Sequence, residues 1–550
     1  MPGITTLDAI MLREMVIAGA ALLEKNRDAV NALNVFPVPD GDTGTNMSMT
    51  MMSAVKELNG KELTTASAAA ASLAKGALRG ARGNSGVILS QLYRGFAKSL
   101  EGLDQINPTQ FAAALKVSAD TAYKAVMKPK EGTILTVARV IADSAIKQAK
   151  QHPDDFAALF RVILTSGEGI LRQTQDMLPV LKQAGVVDAG GRGLLLILSG
   201  YDAALRGEHV DDTLVDMSHD IQTETEFLDD HDNLGEISFA YCTEFLIQNM
   251  PPETRDADIV SFRRKLNRIG DCVLVVGDQT LVKVHVHTND PGKALQYAAA
   301  LGEMVNIKID NMLQQRRDTG WLREGNKAAQ PLKPYGLVSV SLGKGFSEIF
   351  KDLGVDGVVD GGQTMNPSIE DLQTAVDSIP AETVFVLPNN SNITLAARQV
   401  AELSEKRVIV IPTKNVAMGI AAVVAFQPDY PADENEQRMT EAAERVTTGT
   451  VTYAVRDSEY QDMHIKAGSI IGLTNGEVTC SGASAEAISM ELLRGLVTDD
   501  DGLITVYYGE DTKAQDAKAL GEKVAAQFPS CDVEVHSGGQ PLYYYLLSVE

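Results

Sequence analysis

Asn34-Val-Phe-Pro-Val-Pro-Asp40-Gly-Asp42-Thr-Gly-Thr-Asn46-Met47 sets two carboxylates on either side of one glycine, after a proline-bearing approach and before a Met-rich helical segment. Hard cations such as Mg²⁺ take oxygen ligands, commonly one or two carboxylates, and leave other positions to water and substrate phosphates. An Asp-Gly-Asp turn running into a helix start supplies such ligands. The helix start adds N–H groups where an anion can rest. The pattern predicts a metal–phosphate site in an enzyme that handles a nucleotide. Asp-Gly-Asp alone is also an ordinary turn, because Gly accepts positive φ and Asp bonds its own backbone. A calcium loop of the EF-hand type is excluded, since the position that must be acidic, the twelfth counted from Asp40, is Met51.

Around this stretch the chain divides by composition. At 550 residues it is too long for one core. Ala-rich segments with helical apolar spacing (65–79, 109–127, 133–150, 155–172) predict an all-α domain over 1–206. Residues 207–235 are acidic and turn-rich and predict a linker. A β-α-β-β-α-β rhythm over 236–315 predicts a ferredoxin-like α+β domain. A polar linker follows over 316–334. Apolar strands whose loops lead into helices predict a C-terminal α/β domain over 335–550. The expected class is therefore multidomain α and α/β.

The net charge of −24 argues against nucleic acid or an anionic membrane as partner. The four cysteines are scattered and form no disulfide framework. No apolar run approaches the roughly 20 residues of a membrane helix, and Met1-Pro-Gly-Ile-Thr-Thr6 has no signal-peptide pattern. A cytoplasmic protein is expected.

Two further glycine-rich loops precede helical patterns. Gly80-Ala-Arg82-Gly83-Asn84-Ser85-Gly86 allows close backbone approach to a phosphate, with Ser85 as donor and Arg82 as positive charge. Asp188-Ala-Gly-Gly-Arg192-Gly193 can lie against a base or an anion. Each alone is also a plain helix connection, but three in one helical domain point to a shared site. Neither a Walker A sequence nor the protein-kinase set is present. In the middle domain, His285 and His287 are two apart on a predicted strand and share a face. With Cys242 on a neighbouring strand they form a potential zinc set, or the strand simply carries two histidines. Asp360–Pro367 and Pro388–Asn392 are polar loops after apparent strands, where crevices of open α/β sheets lie. For small molecules, ordinary loop chemistry is the reading favoured for both.

Residues 34–47, with Gly80–Gly86 and Asp188–Gly193, resemble the ATP-binding domain of dihydroxyacetone kinases. The likeness to the catalytic chain of bacterial fatty acid kinases is closer and spans nearly the whole sequence. It adds Glu131-Gly-Thr-Ile-Leu-Thr-Val-Ala-Arg139, His285-Val-His-Thr-Asn-Asp-Pro-Gly292, Asp360-Gly-Gly-Gln363 and Gly538-Gly-Gln-Pro-Leu-Tyr-Tyr-Tyr545. The resemblance implies an N-terminal helical barrel that binds ATP and Mg²⁺. It implies phosphoryl transfer to a fatty acid presented by a separate DegV-like fatty-acid-binding carrier, giving acyl phosphate for phospholipid synthesis. The C-terminal domain is the expected carrier-docking part, and a homodimer is expected. The Mg²⁺ carboxylates carry over onto Asp40 and Asp42. Asn34 stands where the smaller dihydroxyacetone kinases show a third Asp. Thr43, Gly44, Thr45 and Asn46 are expected at the phosphates. Gly83, Asn84, Ser85 and Gly86 are expected along the nucleotide, with Asp188 and Arg192 closing the pocket. Zinc ligands carry over onto Cys242, His285 and His287. Two other readings remain: a stand-alone kinase for a small hydroxyketone, and a non-catalytic nucleotide-binding scaffold.

Overall fold

Side-chain caps and small residues explain where the N-terminal helices begin and how closely they pack. The computed structural model describes residues 4–34, 41–61, 63–126, 128–208, 239–251, 254–277, 281–311, 332–361, 366–455, 457–460 and 463–550. Contacts divide the chain into two units, Met1–Ile221 with Leu332–Glu550, and Gln222–Pro331. Most of both expected linkers lies outside the described residues.

The N-terminal part contains α1 (Ala9–Lys25), α2 (Arg27–Asn31), α3 (Thr43–Asn59), α4 (Ala66–Arg79), α5 (Gly83–Ser99), α6 (Pro108–Ala125), α7 (Ile134–Gln151), α8 (Phe156–Met177), α9 (Pro179–Ala184) and α10 (Ala189–Leu205). Asp8, Thr65, Asp155 and Asp188 cap α1, α4, α8 and α10. Asn107 and Gln110 form a reciprocal capping box at α6, with Pro108 in its first turn. The long helices pack in sequence, α3 on α4, α4 on α5 and so on to α8, and α10 returns to α8 and α1. α1 also packs on α3, so the ring closes as a helical barrel. Phe111 is central to its core, edge-on to Phe96 and Phe156 at centroid distances of 5.3 and 5.9 Å. It is 0% exposed, and full burial of such a side chain contributes roughly 1.5–3 kcal/mol.

The middle unit holds β1 (Tyr241–Gln248), α11 (Asp256–Leu266), β2 (Gly270–Gly277), β3 (Leu281–Thr288), α12 (Pro291–Ala299) and β4 (Glu303–Asn311). The strand order is β2-β3-β1-β4, antiparallel throughout, which is the ferredoxin-like split βαβ arrangement. Phe245, Ile247, Val282, Val284 and Val286 pack on Phe262 and Leu266 of α11 and Ala294 and Ala298 of α12.

The C-terminal part begins with β5 (Lys333–Ser341), α13 (Lys344–Asp352), β6 (Gly357–Asp360), α14 (Ile369–Ser378), β7 (Ala381–Leu387), α15 (Thr394–Leu403), β8 (Arg407–Val410), α16 (Val416–Ala425) and α17 (Ala432–Arg445). Its sheet is parallel, in the order β6-β5-β7-β8. Val338, Val340, Val384 and Val386 are buried in it, as a sheet covered on both faces requires. Then follow β9 (Thr447–Tyr453), β10 (Ser458–Tyr460), β11 (Met463–Ile465), β12 (Ile470–Thr474), β13 (Glu477–Gly482), α18 (Ala485–Leu496), β14 (Leu503–Tyr508), α19 (Ala514–Gln527), β15 (Asp532–Ser537) and β16 (Tyr543–Val549). A mixed sheet runs β13-β12-β9-β16-β14-β15. Cys480 and Cys531 are buried and free, as core residues.

The N- and C-terminal parts pack directly on each other. Arg82 forms an antiparallel bridge with Ser368, and Ile369 N donates to Ala81 O at 3.2 Å. Buried Gln91 donates to buried Gln399 at 3.0 Å.

The barrel closes where α1 and α10 meet at Gly19 and Gly200. A Cβ at Gly200 would stand 2.5 Å from Ala18 O and 2.5 Å from Gly19 Cα. Both are backbone atoms of α1 and cannot rotate away. Gly200→Ala therefore gains roughly 0.5–1 kcal/mol of helix propensity and is expected to lose more to overpacking, about 1–3 kcal/mol. A lowered melting temperature is the expected result, and a raised one would remove this account of the seam.

Candidate active site

Three helix starts converge. α3 begins after Asp42, α5 after Arg82 and α10 after Asp188. The N-terminal end of each helix carries partial positive charge and unsatisfied N–H groups. They open on one cavity of about 910 Å³. From the helical part, Asn34, Asp42, Thr43, Asn46, Asn84, Ser85 and Asp188 line it. From the C-terminal part come Ser341, Asn389–Asn392 and Lys414, which end or follow β5, β7 and β8, together with Gln540. A parallel sheet's ligand crevice lies at those strand ends. Here it faces the helix starts.

Asp42 occupies the N-cap position of α3, yet its side chain makes no capping bond. Its carbonyl accepts from Asn46 N at 2.8 Å. The residue is 4% exposed, and its carboxylate accepts from Asn366 Nδ2 at 2.6 Å. A buried carboxylate needs such donors or a cation. The residues of the helical part that line the cavity with it offer oxygens: the Thr43 hydroxyl and the Asn34 and Asn46 amides. That set suits a hard cation such as Mg²⁺ and does not suit a soft one. Asp40 lies outside the described residues. Ser85 Oγ stands 3.5 Å from Thr43 Oγ1, joining the α3 and α5 starts.

Other predicted residues are turned elsewhere. Thr45 bonds Asn31 through its hydroxyl (3.0 Å) and its N–H (3.1 Å), so it fixes α2 to α3. A Cβ on Gly44 would meet Arg27 O at 2.2 Å, so this glycine serves the same helix contact. Gly86 packs on Thr50, whose hydroxyl would lie 2.4 Å from an added Cβ. Gly83 adopts φ +56° and an added Cβ would lie 2.5 Å from Asn46 Nδ2. Arg192 pairs with Glu168 at 2.7 Å. None of these five lines the cavity. Arg82, expected to face a phosphate, turns to the C-terminal part. Its Nη1 donates to Asn366 O at 2.8 Å and lies 3.4 Å from Asp371. Burial lowers its pKa, and Asp371 partly restores it.

Asn366, Asn389 and Gln540 fall outside the site residues expected from sequence, though all are buried, at 0, 7 and 2% exposure. The polar run Pro388–Asn392 straight after an apolar strand is the available signal for Asn389. In the middle unit, register sets Cys242 opposite His287, and His285 opposite Glu244. The Cys242 and His285 side chains lie outside the described residues. Among the described residues no group of three His, Cys, Asp or Glu can hold an ion, and no helix is long and apolar enough to cross a membrane.

Comparison with known proteins gives three domain matches. Residues 37–203 match the DAK2 domain, 238–319 the FakA-like middle domain of fatty acid kinase, and 336–550 the FakA-like C-terminal domain of fatty acid kinase. Protein YloV of Bacillus subtilis is 43% identical over 556 residues, covering 100% of both chains. Among solved structures, a DegV family protein, Cg2579 of Corynebacterium glutamicum, aligns at 14% identity and TM-score 0.32, over 40% of this chain and 97% of its own. The dihydroxyacetone kinase of C. freundii in complex with AMP-PNP and Mg²⁺ aligns at 18% identity and TM-score 0.29, over 37% of this chain and 35% of its own.

Asp188 Oδ2 accepts from Gly191 N at 2.6 Å. Burial is the leading cause that pushes its pKa up to about 6, against the lowering effect of N–H groups at Gly191 and Ile134. The folded state thus holds this proton more tightly than the unfolded chain. Its stabilising contribution is complete below about pH 4 and is lost as pH rises through about 6. Asp188→Asn keeps a capping oxygen and removes the charge. Its melting temperature relative to the unsubstituted protein should rise progressively from about pH 4 and level off above about pH 7. A difference constant across that range would contradict this.

Proposed function

The chain belongs to the FakA-like family of fatty acid kinase proteins, and we propose that it transfers the γ-phosphoryl group of ATP to the carboxylate of a fatty acid held by a separate DegV-like carrier protein. The product is an acyl phosphate for phospholipid synthesis. The observation that carries this reading is buried Asp42 at the meeting of the α3 and α5 starts, facing polar strand-end loops across one cavity.

Asp42, Asp40 and Asn34 would hold Mg²⁺, which when bound neutralises phosphate charge. The α3 and α5 starts, with Thr43, Asn46, Asn84 and Ser85, offer N–H, hydroxyl and amide groups to ATP. A carboxylate oxygen of the fatty acid attacks the γ-phosphorus, the bond from that phosphorus to the β,γ-bridging oxygen breaks, and ADP leaves with the electron pair. The carboxylate is already ionised at neutral pH, so no general base is needed. Positioning and charge neutralisation carry the reaction. The C-terminal part would receive the carrier, and the cytoplasm is where such a reaction finds its ATP. The homodimer remains part of the proposal.

The DAK2 match over 37–203 favours one alternative, a kinase for a small hydroxyketone. The two readings separate in one assay. The full chain with Mg²⁺ and ATP is given either carrier-bound fatty acid or dihydroxyacetone, and hydroxylamine traps any acyl phosphate. Trapped product only with loaded carrier is expected. Asp42→Ala should lower its formation at least about 100-fold. Retention of most of that rate with saturating Mg²⁺ and ATP would remove Asp42 from the mechanism.

The proposal also includes zinc on Cys242, His285 and His287, supported by the register that opposes Cys242 to His287. Metal analysis of the purified full chain should find about one zinc per chain, lost in Cys242→Ser. A well-folded, zinc-free protein would dispose of the idea.

A further inference from the structure

We propose that Asn366 is a positioning residue of the nucleotide and cation site. It fixes the Asp42 carboxylate, so the helical part reaches full cation affinity only with the C-terminal part docked against it. The inference rests on the reading of Asp42 as a cation ligand.

Asn366 is 0% exposed. Its Nδ2 donates to Asp42 Oδ2 at 2.6 Å and to Asn46 Oδ1 at 3.3 Å. Both partners are acceptors, so the amide can meet them only through its NH₂ group. Its own Oδ1 has no hydrogen-bond partner among the described residues. That leaves a buried acceptor on an amide already committed to the site.

The backbone that carries this amide is clamped. Arg82 Nη1 donates to the Asn366 carbonyl at 2.8 Å, and its guanidinium lies 3.4 Å from Asp371. Two residues on, Ser368 bridges to Arg82, and Ile369 N donates to Ala81 O at 3.2 Å. Pro367 disfavours a helical conformation at Asn366, and the Ser368–Asp371 capping box starts α14 immediately afterwards. Gly83 makes room: a Cβ there would stand 2.5 Å from Asn46 Nδ2 and 3.1 Å from Asn366 Nδ2. Arg82 and Gly83, read from sequence as phosphate-facing, instead seat the incoming amide.

The chemical consequence follows from how carboxylates hold hard cations. A hydrogen bond to the ligand fixes its orientation, and loss of such a partner typically weakens metal binding about 10–100-fold. Here the partner is 324 residues away along the chain and belongs to the part that lines the opposite wall of the cavity. Cation affinity is thereby linked to domain docking.

The test uses the full chain, with Mn²⁺ as probe in the presence of a non-hydrolysable ATP analogue, read by electron paramagnetic resonance. Asn366→Ala is expected to weaken Mn²⁺ binding about 10–100-fold. Asn366→Asp sets a second carboxylate against Asp42. It should lower the melting temperature without divalent cation, and Mg²⁺ should restore more of it than in the unsubstituted protein. Gln399→Ala removes the Gln91 bond at the same interface without touching Asp42, and its Mn²⁺ affinity should stay within about twofold. Unchanged affinity in Asn366→Ala overturns the proposal, as does an equal loss in Gln399→Ala. If Asn366→Ala does not fold, the Mg²⁺ response of Asn366→Asp decides, and a response equal to that of the unsubstituted protein overturns it. If the unsubstituted protein binds no Mn²⁺ with nucleotide, or Asp42→Ala binds it equally well, the reading of Asp42 itself fails and this proposal falls with it.

Discussion

Keeping the Asp42 carboxylate out of water is the demand that organises this molecule. The residue as a whole is only 4% exposed, and an isolated buried carboxylate costs several kcal/mol unless donors or a cation compensate. The compensation comes from several elements at once. The α3 start supplies a positive helix end, Asn46 and Thr43 stand one turn or less away, and Asn366 donates from the C-terminal part. Each donor needs its own support. The Gly83 turn admits the Asn366 amide, Arg82 holds its carbonyl, and Thr45 ties α3 to Asn31 of α2. Small residues recur at these contacts because the backbones must approach closely.

The same packing explains why one chain carries both the barrel and a parallel sheet. A helix start alone offers an anion site open to solvent, where charge interactions are weak. With the strand-end loops of β5, β7 and β8 across from it, the site becomes a cavity of limited size lined from both sides. The polar atoms there are largely amides and hydroxyls. Such groups donate to anions without adding the repulsion that further carboxylates would bring. Asn84 and Asn392 join the two walls directly at 3.2 Å.

Much of the fold was legible because its determinants are local. The apolar spacing and Ala content of 65–79 match α4 (Ala66–Arg79), and those of 109–127 match α6 (Pro108–Ala125). The middle-domain rhythm matches six elements in their order. The β12–β13 hairpin lies outside the expected strands, although Asn475 and Gly476, at φ 50° and 90°, are a strong two-residue turn signal. The site was legible where a residue's neighbours in sequence are also its neighbours in space. Asn34, Asp42, Thr43, Asn46, Asn84, Ser85 and Asp188 share the cavity. Gly44, Thr45 and Gly86 belong to the same motifs but face helix contacts, because a helix turns successive residues about 100° apart. Asn366 lies in the polar loop Asp360–Pro367, which sequence marks as a possible crevice loop, but its bond to Asp42 depends on a contact between residues 324 apart.

Net charge and local charge pull in opposite directions in this protein. A chain at −24 repels anions at long range, yet the proposed reaction joins a triphosphate to a carboxylate. Long-range repulsion is screened within roughly 8–10 Å at physiological salt, so what governs binding is the set of groups inside that distance. Those are the positive starts of α3, α5 and α10, the Lys414 ammonium and the amide and hydroxyl donors of the cavity. Asp188, the other carboxyl lining it among the described residues of the helical part, has a pKa raised to about 6 by burial. Burial therefore makes its anionic form easier to neutralise than that of an exposed aspartate. The helix starts and donors that line the cavity set its local field at short range, and screening keeps the acidic exterior from cancelling that field.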